Sequence, residues 1–110
     1  MSDERFVYVT CESKAQAREI GQTLVGNRLA ACANILPGME SIYWWEGKLE
    51  SAKEVVLILK SRAALLDTLT ASVRQLHSYD VPCVVALPIE GGNPDYLRWI
   101  HQETEPNPPL

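Results

Sequence analysis

Five consecutive apolar residues, Val55 to Leu59, form the centre of the segment KEVVLILK (53–60). The β-branched and aliphatic side chains of this run are typical of a β-strand. Because neighbouring side chains in a strand point to opposite faces of the sheet, an unbroken apolar run places apolar groups on both faces. A fold built on this strand must therefore cover its sheet from two sides.

Three further segments have the composition of strands. RFVYVTC (5–11) and VPCVVALPI (81–89) are rich in β-branched and aromatic residues and are predicted strands. AACANILPGMESIYWW (30–45) is also extended, and Pro37-Gly38 predicts a bulge within it. The following Glu46-Gly47-Lys48 predicts a turn, so this segment and KEVVLILK form a long hairpin.

A first helix is predicted between the first two strands. Ser13 and Gln16 form a capping box, S-x-x-Q, which satisfies free amides at a helix start. From Ala17 onward, apolar residues recur at i, i+3, i+4 and i+7, which gives the helix one apolar face. Asn27 is a suitable residue to end it.

Two more helices complete the pattern. SRAALLDTLTASVRQLH (61–77) carries its leucines and valine on one side, and a short C-terminal helix is predicted over Asp95 to Gln102. Residues 104–110 contain three prolines and are expected to form a loose tail. Strand, helix, strand, strand, helix, strand is the ferredoxin-like βαββαβ order of an α+β protein with an antiparallel sheet. Residues 1–110 are thus expected to form a single domain, with the first and last strands adjacent and both long helices on one face.

The second face of this sheet has no predicted cover, because a third helix of about eight residues is too small. Of the adjacent Trp44 and Trp45, we expect one to face the helices and the other to face a second copy of the chain. Burying about 800 Å² per protomer, at about 25 cal/mol per Å², offers on the order of 20 kcal/mol before association costs. The sequence therefore predicts an obligate oligomer, with Tyr43, Trp44 and Trp45 at its interface.

Charge and cysteine content exclude several classes of partner. The formal net charge is −4 and the basic residues are scattered, which argues against binding to nucleic acid or to an anionic membrane surface. There is no apolar run long enough for a membrane span and no signal-peptide pattern at the N-terminus. Three cysteines without a close pair are typical of free thiols in a reducing compartment, so a cytoplasmic location is expected.

Five stretches of this chain are distinctive: LAACANILPG (29–38), SIYWWEGKLE (41–50), KEVVLILK (53–60), HSYDVP (77–82) and GNPDYLRWI (92–100). In this order, over roughly residues 5 to 101, they resemble the CutA family of divalent-cation tolerance proteins. The resemblance implies a ferredoxin-like fold, a homotrimer similar to the PII signalling proteins, and a cytoplasmic role in tolerance of copper and other divalent metals.

The resemblance also implies copper ligands at Cys11 and His77. Family members sometimes carry a second histidine where this chain has Leu76, and usually a glutamate where it has Cys83. In the predicted topology the first strand and second helix end where the last strand begins, so Cys11, His77 and Cys83 should converge. Two thiolates and an imidazole suit copper(I), zinc or mercury. No spacing motif supports the site, and a helix-end role for His77 is equally open.

A second site is expected between subunits. Lys60, Tyr79, Tyr96 and Trp99 are candidates for a pocket that takes a small anionic ligand, with ordinary packing as the alternative. There is no nucleophile elbow, phosphate loop or H-E-x-x-H motif, so no enzymatic activity and no organic cofactor are expected. Two functions remain open: a trimeric metal-binding tolerance protein, and a trimeric regulatory or scaffold module that binds a small metabolite or a protein partner.

Overall fold

The computed structural model describes residues 3–106 and shows the predicted order of strands and helices. The elements are β1 Glu4–Cys11, α1 Lys14–Gly26, β2 Cys32–Trp45, β3 Lys48–Arg62, α2 Leu66–Leu76, β4 Val84–Pro88 and α3 Pro94–Glu103. The strands form one antiparallel sheet in the order β2-β3-β1-β4. The predicted ferredoxin-like arrangement, with β1 and β4 adjacent, is confirmed.

Helix α1 begins and ends as its sequence predicts. The Ser13 hydroxyl accepts a hydrogen bond from the Gln16 amide at 3.1 Å, and the Gln16 side chain accepts one from the Glu12 amide at 3.1 Å. Asn27 is the C-terminal cap. The buried face consists of the predicted positions: Ala17, Ile20, Gly21 and Leu24. Local capping and apolar periodicity together specify this element.

Helix α2 begins later than predicted, because β3 continues to Arg62 and a 3₁₀ turn, Ala63–Leu65, follows it. Ser61, placed in the helix by the sequence, is instead a buried strand residue whose hydroxyl donates to the Leu29 carbonyl at 2.6 Å. Strand β4 is also shorter than expected and begins at Val84. The hairpin agrees better: a register shift lies between Leu36 and Met39, where Pro37-Gly38 predicts a bulge.

One face of the sheet packs against α1 and α2. On β1 this face carries Val7, Val9 and Cys11, which pair with Leu59, Leu57 and Val55 of β3. The core cluster joins them to apolar residues of both helices and of the loop before β2: Ala17, Ile20, Leu24, Ala30, Leu69 and Val73. A two-layer α/β core therefore accounts for half of the apolar residues of β1 and β3.

The opposite side of the sheet, which we call the open face, is apolar but largely uncovered. It carries Phe6, Tyr8 and Thr10 on β1, with Val85 and Leu87 beside them on β4. Val85 and Leu87 remain 49% and 55% exposed. The expectation that the sheet is apolar on both sides is confirmed.

Helix α3 contacts the open face at one end only. The Tyr96 hydroxyl lies 3.5 Å from the Cys32 sulfur, and the Arg62 side chain donates to the Thr104 hydroxyl at 2.8 Å. Thr104 is therefore buried, which corrects the expectation of a loose tail at this residue; residues 107–110 lie outside the described part. None of the helices in residues 3–106 has the length and apolar character needed to cross a bilayer.

The two adjacent tryptophans point to opposite sides of the hairpin, as expected. Trp44 pairs with Leu49 on the side of the sheet that carries the helices, and Trp45 pairs with Lys48 on the open side. The expectation that one of them packs under the helices is wrong, because Trp44 is 72% exposed. The end of the hairpin extends beyond the part of the sheet that α1 and α2 cover.

Candidate functional site

Both ring nitrogens of His77 are engaged within the chain. His77 follows the last residue of α2, and its Nε2 donates to the carbonyl of Thr10 at 2.7 Å. Its Nδ1 accepts the backbone N–H of Tyr79 at 3.1 Å. The imidazole thus ties the end of α2 to the end of β1. To ligate a metal ion, this side chain would have to give up one of these hydrogen bonds.

Cys11 lies at the same end of the sheet, on the face that packs against the helices. Its side chain is completely buried in the core cluster. Burial, with a smaller contribution from the Glu54 carboxylate, raises the pKa of the Cys11 thiol to about 11. Because metal ions bind the thiolate, this neutral buried thiol is a poor ligand at neutral pH.

Cys83 lies close in sequence to the start of β4 and is partly exposed. Val84 pairs with Val9, so alternation places Cys83 beside Thr10, on the open face. Burial and the Glu54 carboxylate raise the pKa of the Cys83 thiol, and a hydrogen bond with Thr10 opposes that shift. Cys83 therefore lies at the predicted edge but on the opposite face from Cys11.

This geometry corrects the expected convergence of Cys11, His77 and Cys83. The topology brings all three to one end of the sheet, but β-strand alternation separates the two thiols. Among the described residues, no three His, Cys, Asp or Glu side chains are grouped so that they could hold a metal ion. The three residues do not fit a metal ion as one site within a single chain.

A cavity of about 560 Å³ opens on the open face at this end of the molecule. Its walls come from the β2–β3 hairpin, from the end of β1 and from the segment before β4. Half of the ten lining residues are aromatic or acidic, namely Tyr43, Trp45, Tyr79, Glu54 and Asp80, and Cys83 also lines the cavity. A volume between about 300 and 1,000 Å³ is typical of sites for small molecules.

Glu54 and Tyr79 form the buried polar pair of this cavity. Glu54 is only 8% exposed, and its Oε2 accepts a hydrogen bond from the Tyr79 hydroxyl at 2.9 Å. Burial and the Glu54 carboxylate together raise the pKa of Tyr79, so its hydroxyl stays protonated and donates. The Tyr79 ring also packs on His77, with centroids 4.7 Å apart.

The sequence did not indicate Glu54 as a site residue, although a signal was present. Val56 and Ile58 pair with Thr10 and Tyr8 on the open face, so Glu54 is the next residue of β3 on that face. A carboxylate that continues a row of apolar residues on one face is a buried polar group, and such groups need a structural or functional reason.

The second predicted pocket is divided between the two ends of the sheet. Lys60 donates to the side-chain oxygen of Asn34, and its Nζ lies 3.7 Å from the sulfur of Cys32. Tyr96 contacts the same sulfur, and its ring lies 5.5 Å from that of Trp99. Cys32 is partly exposed and belongs to this group.

Tyr79 does not join Lys60, Tyr96 and Trp99. Its partner Glu54 precedes Lys60 by six residues of β3, which corresponds to about 20 Å along a strand. The expected grouping of these four residues is therefore corrected: Tyr79 belongs to the cavity at the hairpin end of the open face. The hydrogen bond with Cys32, together with burial, raises the pKa of Tyr96 to about 12.

Comparison with known families agrees with the fold and with the sequence resemblance. Residues 5–103 match the family model described as CutA1 divalent ion tolerance protein. The chain belongs to the CutA1 family. "Protein CutA 1, chloroplastic" of Oryza sativa is 50% identical over 98 residues, which cover 89% of this chain and 55% of that one. The "Divalent-cation tolerance protein CutA" of Thermus thermophilus is 44% identical over 101 residues, covering 92% of this chain and 98% of the relative.

Solved CutA1 structures share the whole fold. The Thermus thermophilus CutA1 structure aligns with a TM-score of 0.91 at 43% identity, covering 93% of this chain and 99% of that one. The Oryza sativa CutA1 structure also aligns with a TM-score of 0.91, at 46% identity, covering 96% of this chain and 97% of the other. The chain spans about half the length of the plant and mammalian relatives and nearly all of the Thermus protein.

Proposed function

We propose that this protein is a cytoplasmic, homotrimeric CutA1 protein that gives tolerance to divalent metal ions, copper among them, by binding rather than by catalysis. Its family membership over residues 5–103 carries the proposal, since matching relatives are named divalent-cation tolerance proteins. The three free cysteines support a reducing location. Growth of a strain that lacks the gene, with and without the protein, in graded copper and zinc tests the role directly.

The exposed apolar open face supports the homotrimer. Leu36, Val85 and Leu87 are each about half exposed in the isolated chain, and Tyr43 and Trp45 continue the patch along the hairpin. Monomers rarely leave so large an apolar surface in contact with water. Sedimentation of the protein at micromolar concentration should give three times the 12.3 kDa chain mass. A stable single-chain species would contradict the proposal.

Of the predicted metal ligands, Cys83 has the most suitable surroundings. Its thiol is partly exposed and lines the cavity on the open face, where a metal ion can reach it. Cys11 is buried and protonated, and His77 is held by two hydrogen bonds. We therefore expect Cys83 to contribute most to the capture of a soft metal ion.

Titration of the fully reduced protein with copper(I) tests this ranking. The Cys83→Ser variant should bind copper at least about tenfold more weakly than the wild type, since even the loss of a group that only orients a ligand typically costs about tenfold or more. Cys11→Ser and His77→Ala serve as matched variants and should bind almost as the wild type does. If these two variants lose copper binding while Cys83→Ser retains it, the metal ion binds at Cys11 and His77 instead.

The alternative, a regulatory module that takes a small anion beside Lys60, has weaker support. The Lys60 ammonium donates to Asn34 and lies 3.7 Å from the Cys32 sulfur, which also contacts the Tyr96 hydroxyl. Two of its three N–H donors are thus used within the chain, which leaves one for an anion. A thermal-shift screen against anionic metabolites, with Lys60→Met as the control, tests this alternative, and we expect no shift that depends on Lys60.

A further inference from the structure

The cavity on the open face has the chemical character of a cation site rather than an anion site. Of the ten residues that line it, two are carboxylic acids and none is lysine, arginine or histidine. Three aromatic side chains, Tyr43, Trp45 and Tyr79, contribute their rings to its walls. Carboxylates attract a positive charge, and aromatic faces attract a weakly hydrated one through their quadrupoles.

Glu54 supplies a buried charge that the chain only partly satisfies. Its side chain is more than nine-tenths buried, and Oε2 accepts the Tyr79 hydroxyl. No hydrogen bond within the described residues reaches Oε1. Every fully buried side-chain oxygen in the described residues has a hydrogen-bond partner. Oε1 has none, so it must be accessible, and the space beside it is the cavity that Glu54 lines. An ionised carboxylate has about four lone-pair sites, so Oε1 can accept a further donor or a cation from the cavity.

The groups around Glu54 show that the local field is negative. The carboxylate raises the pKa of Tyr79 and of Cys83, and Tyr43 and Glu12 act on Tyr79 in the same direction. Lys48 pairs with Trp45 at the hairpin tip but does not line the cavity. A negative, partly apolar cavity favours ligands that carry a positive charge together with apolar surface.

We infer that this cavity binds an alkylammonium group, with Glu54 and Asp80 as the counter-charges and Tyr43, Trp45 and Tyr79 as the aromatic walls. A hard divalent ion such as Ca²⁺ or Mg²⁺ fits this cavity less well, because such ions take about six to eight oxygen ligands and only two of the ten lining residues are carboxylic acids. The ammonium group has two possible sources, a free small amine or a lysine side chain of a neighbouring copy. This inference does not depend on metal capture by Cys83. Tyr43 and Trp45 also belong to the proposed trimer interface, so the inference places the cavity beside a neighbouring copy of the chain.

Tetramethylammonium is a suitable probe, with tert-butanol as a neutral control of similar size. Titration of the assembled full-length protein, followed by calorimetry and by tryptophan fluorescence, should show saturable binding of tetramethylammonium and none of tert-butanol. Glu54→Gln keeps an acceptor for Tyr79 and should weaken binding at least about tenfold. Glu50→Gln is the matched control, since Glu50 pairs with Tyr43 on the same side of the hairpin but does not line the cavity.

A second matched pair tests the aromatic wall. Trp45→Leu should weaken tetramethylammonium binding about fivefold to thirtyfold, whereas Trp44→Leu, on the opposite face, should leave it unchanged. Equal binding by wild type and Glu54→Gln, or equal binding of the neutral control, would overturn the inference.

The assembly state during the titration identifies the source of the ammonium group. Saturable binding with unchanged mass in sedimentation indicates a site for a free amine. Binding that dissociates the assembly in proportion to occupancy indicates that tetramethylammonium displaces a lysine side chain of a neighbouring copy. Absence of any tetramethylammonium effect on heat, fluorescence or mass would show that the cavity does not recognise this group.

Discussion

At the scale of single residues, the three cysteines differ sharply in environment and should differ in reactivity. Cys11 is fully buried with a thiol pKa of about 11, while Cys32 and Cys83 are partly exposed. Because the thiolate is the reactive form, Cys11 should resist iodoacetamide at pH 7.5 until the protein is unfolded. Peptide mass spectrometry of a time course should show Cys32 and Cys83 modified first. Early labelling of Cys11 would contradict its placement in the core.

The raised pKa of Cys11 also makes stability depend on pH. Its folded value, about 11, lies above the ordinary 9.0, so the folded protein holds this proton more tightly than the unfolded chain does. The contribution is present in full below pH 9 and is lost as the pH rises through 11. It amounts to at most roughly 3 kcal/mol.

Chemical denaturation at pH 8 and pH 10.5 measures this dependence. The wild type should lose more free energy of unfolding over this interval than Cys11→Ala does, although the variant is less stable at pH 8. The comparison with Cys11→Ala removes the shared contribution of tyrosine ionisation. Parallel losses in the two proteins would show that Cys11 does not titrate in this range.

The metal-ligand prediction shows what a residue pattern can and cannot specify. The topology of βαββαβ correctly brings Cys11, His77 and Cys83 to one end of the sheet. It does not specify on which face each side chain lies, which depends on strand register. Val9 pairs with Val84, so Cys83 lies beside Thr10 rather than beside Cys11. The register of a short edge strand is set by packing with its neighbours, which the sequence of β4 alone does not reveal.

At the scale of elements, the contact between α1 and the sheet depends on Gly21. A Cβ built at this position would lie 3.1 Å from the Cβ of Ala33 and 3.5 Å from the Leu57 side chain. Gly21→Val should therefore push α1 away from the sheet and cost about 1–3 kcal/mol. Gly26→Val is the matched control, because nothing lies within 4 Å of a Cβ there.

Thermal and urea unfolding of both glycine variants tests this close contact. The Gly26 variant should be nearly neutral, since valine and glycine differ by only a few tenths of a kcal/mol in helix preference. Equal stability of the Gly21 and Gly26 variants would show that α1 has room to move. The helix itself was predicted accurately because capping and apolar periodicity are local signals, whereas this tight approach is a tertiary one.

The long hairpin shows the same division between local and tertiary information. Its turn and bulge follow from the residues: Glu46 and Gly47 both have positive φ, as a type I′ hairpin turn requires, and the register shifts beside Pro37-Gly38. The exposure of the hairpin end did not follow from its residues. Trp44 has the side chain of a core residue, but how far α1 and α2 reach over the sheet decides whether it is covered.

At the scale of the whole molecule, the open face gives the most consequential expectation. The described residues extend over 48 Å in their longest dimension, and Leu36, Val85 and Leu87 on the open face remain about half exposed. Burial of this face in an assembly would couple folding to association. The unfolding temperature of the wild type should then rise with protein concentration.

Leu87→Glu separates an assembly from a stable single chain. Leu87 is 55% exposed in the isolated chain, so a glutamate there should leave the fold of one chain nearly unchanged. In a trimer that buries the open face, the same charge would be unpaired and desolvated, and its cost of several kcal/mol would dissociate the subunits.

The control is Ala71→Glu, at an exposed position of α2. Sedimentation should show a lower mass for Leu87→Glu alone, and its unfolding temperature should no longer depend on concentration. Unchanged mass and stability in Leu87→Glu would mean that this part of the open face stays in contact with water.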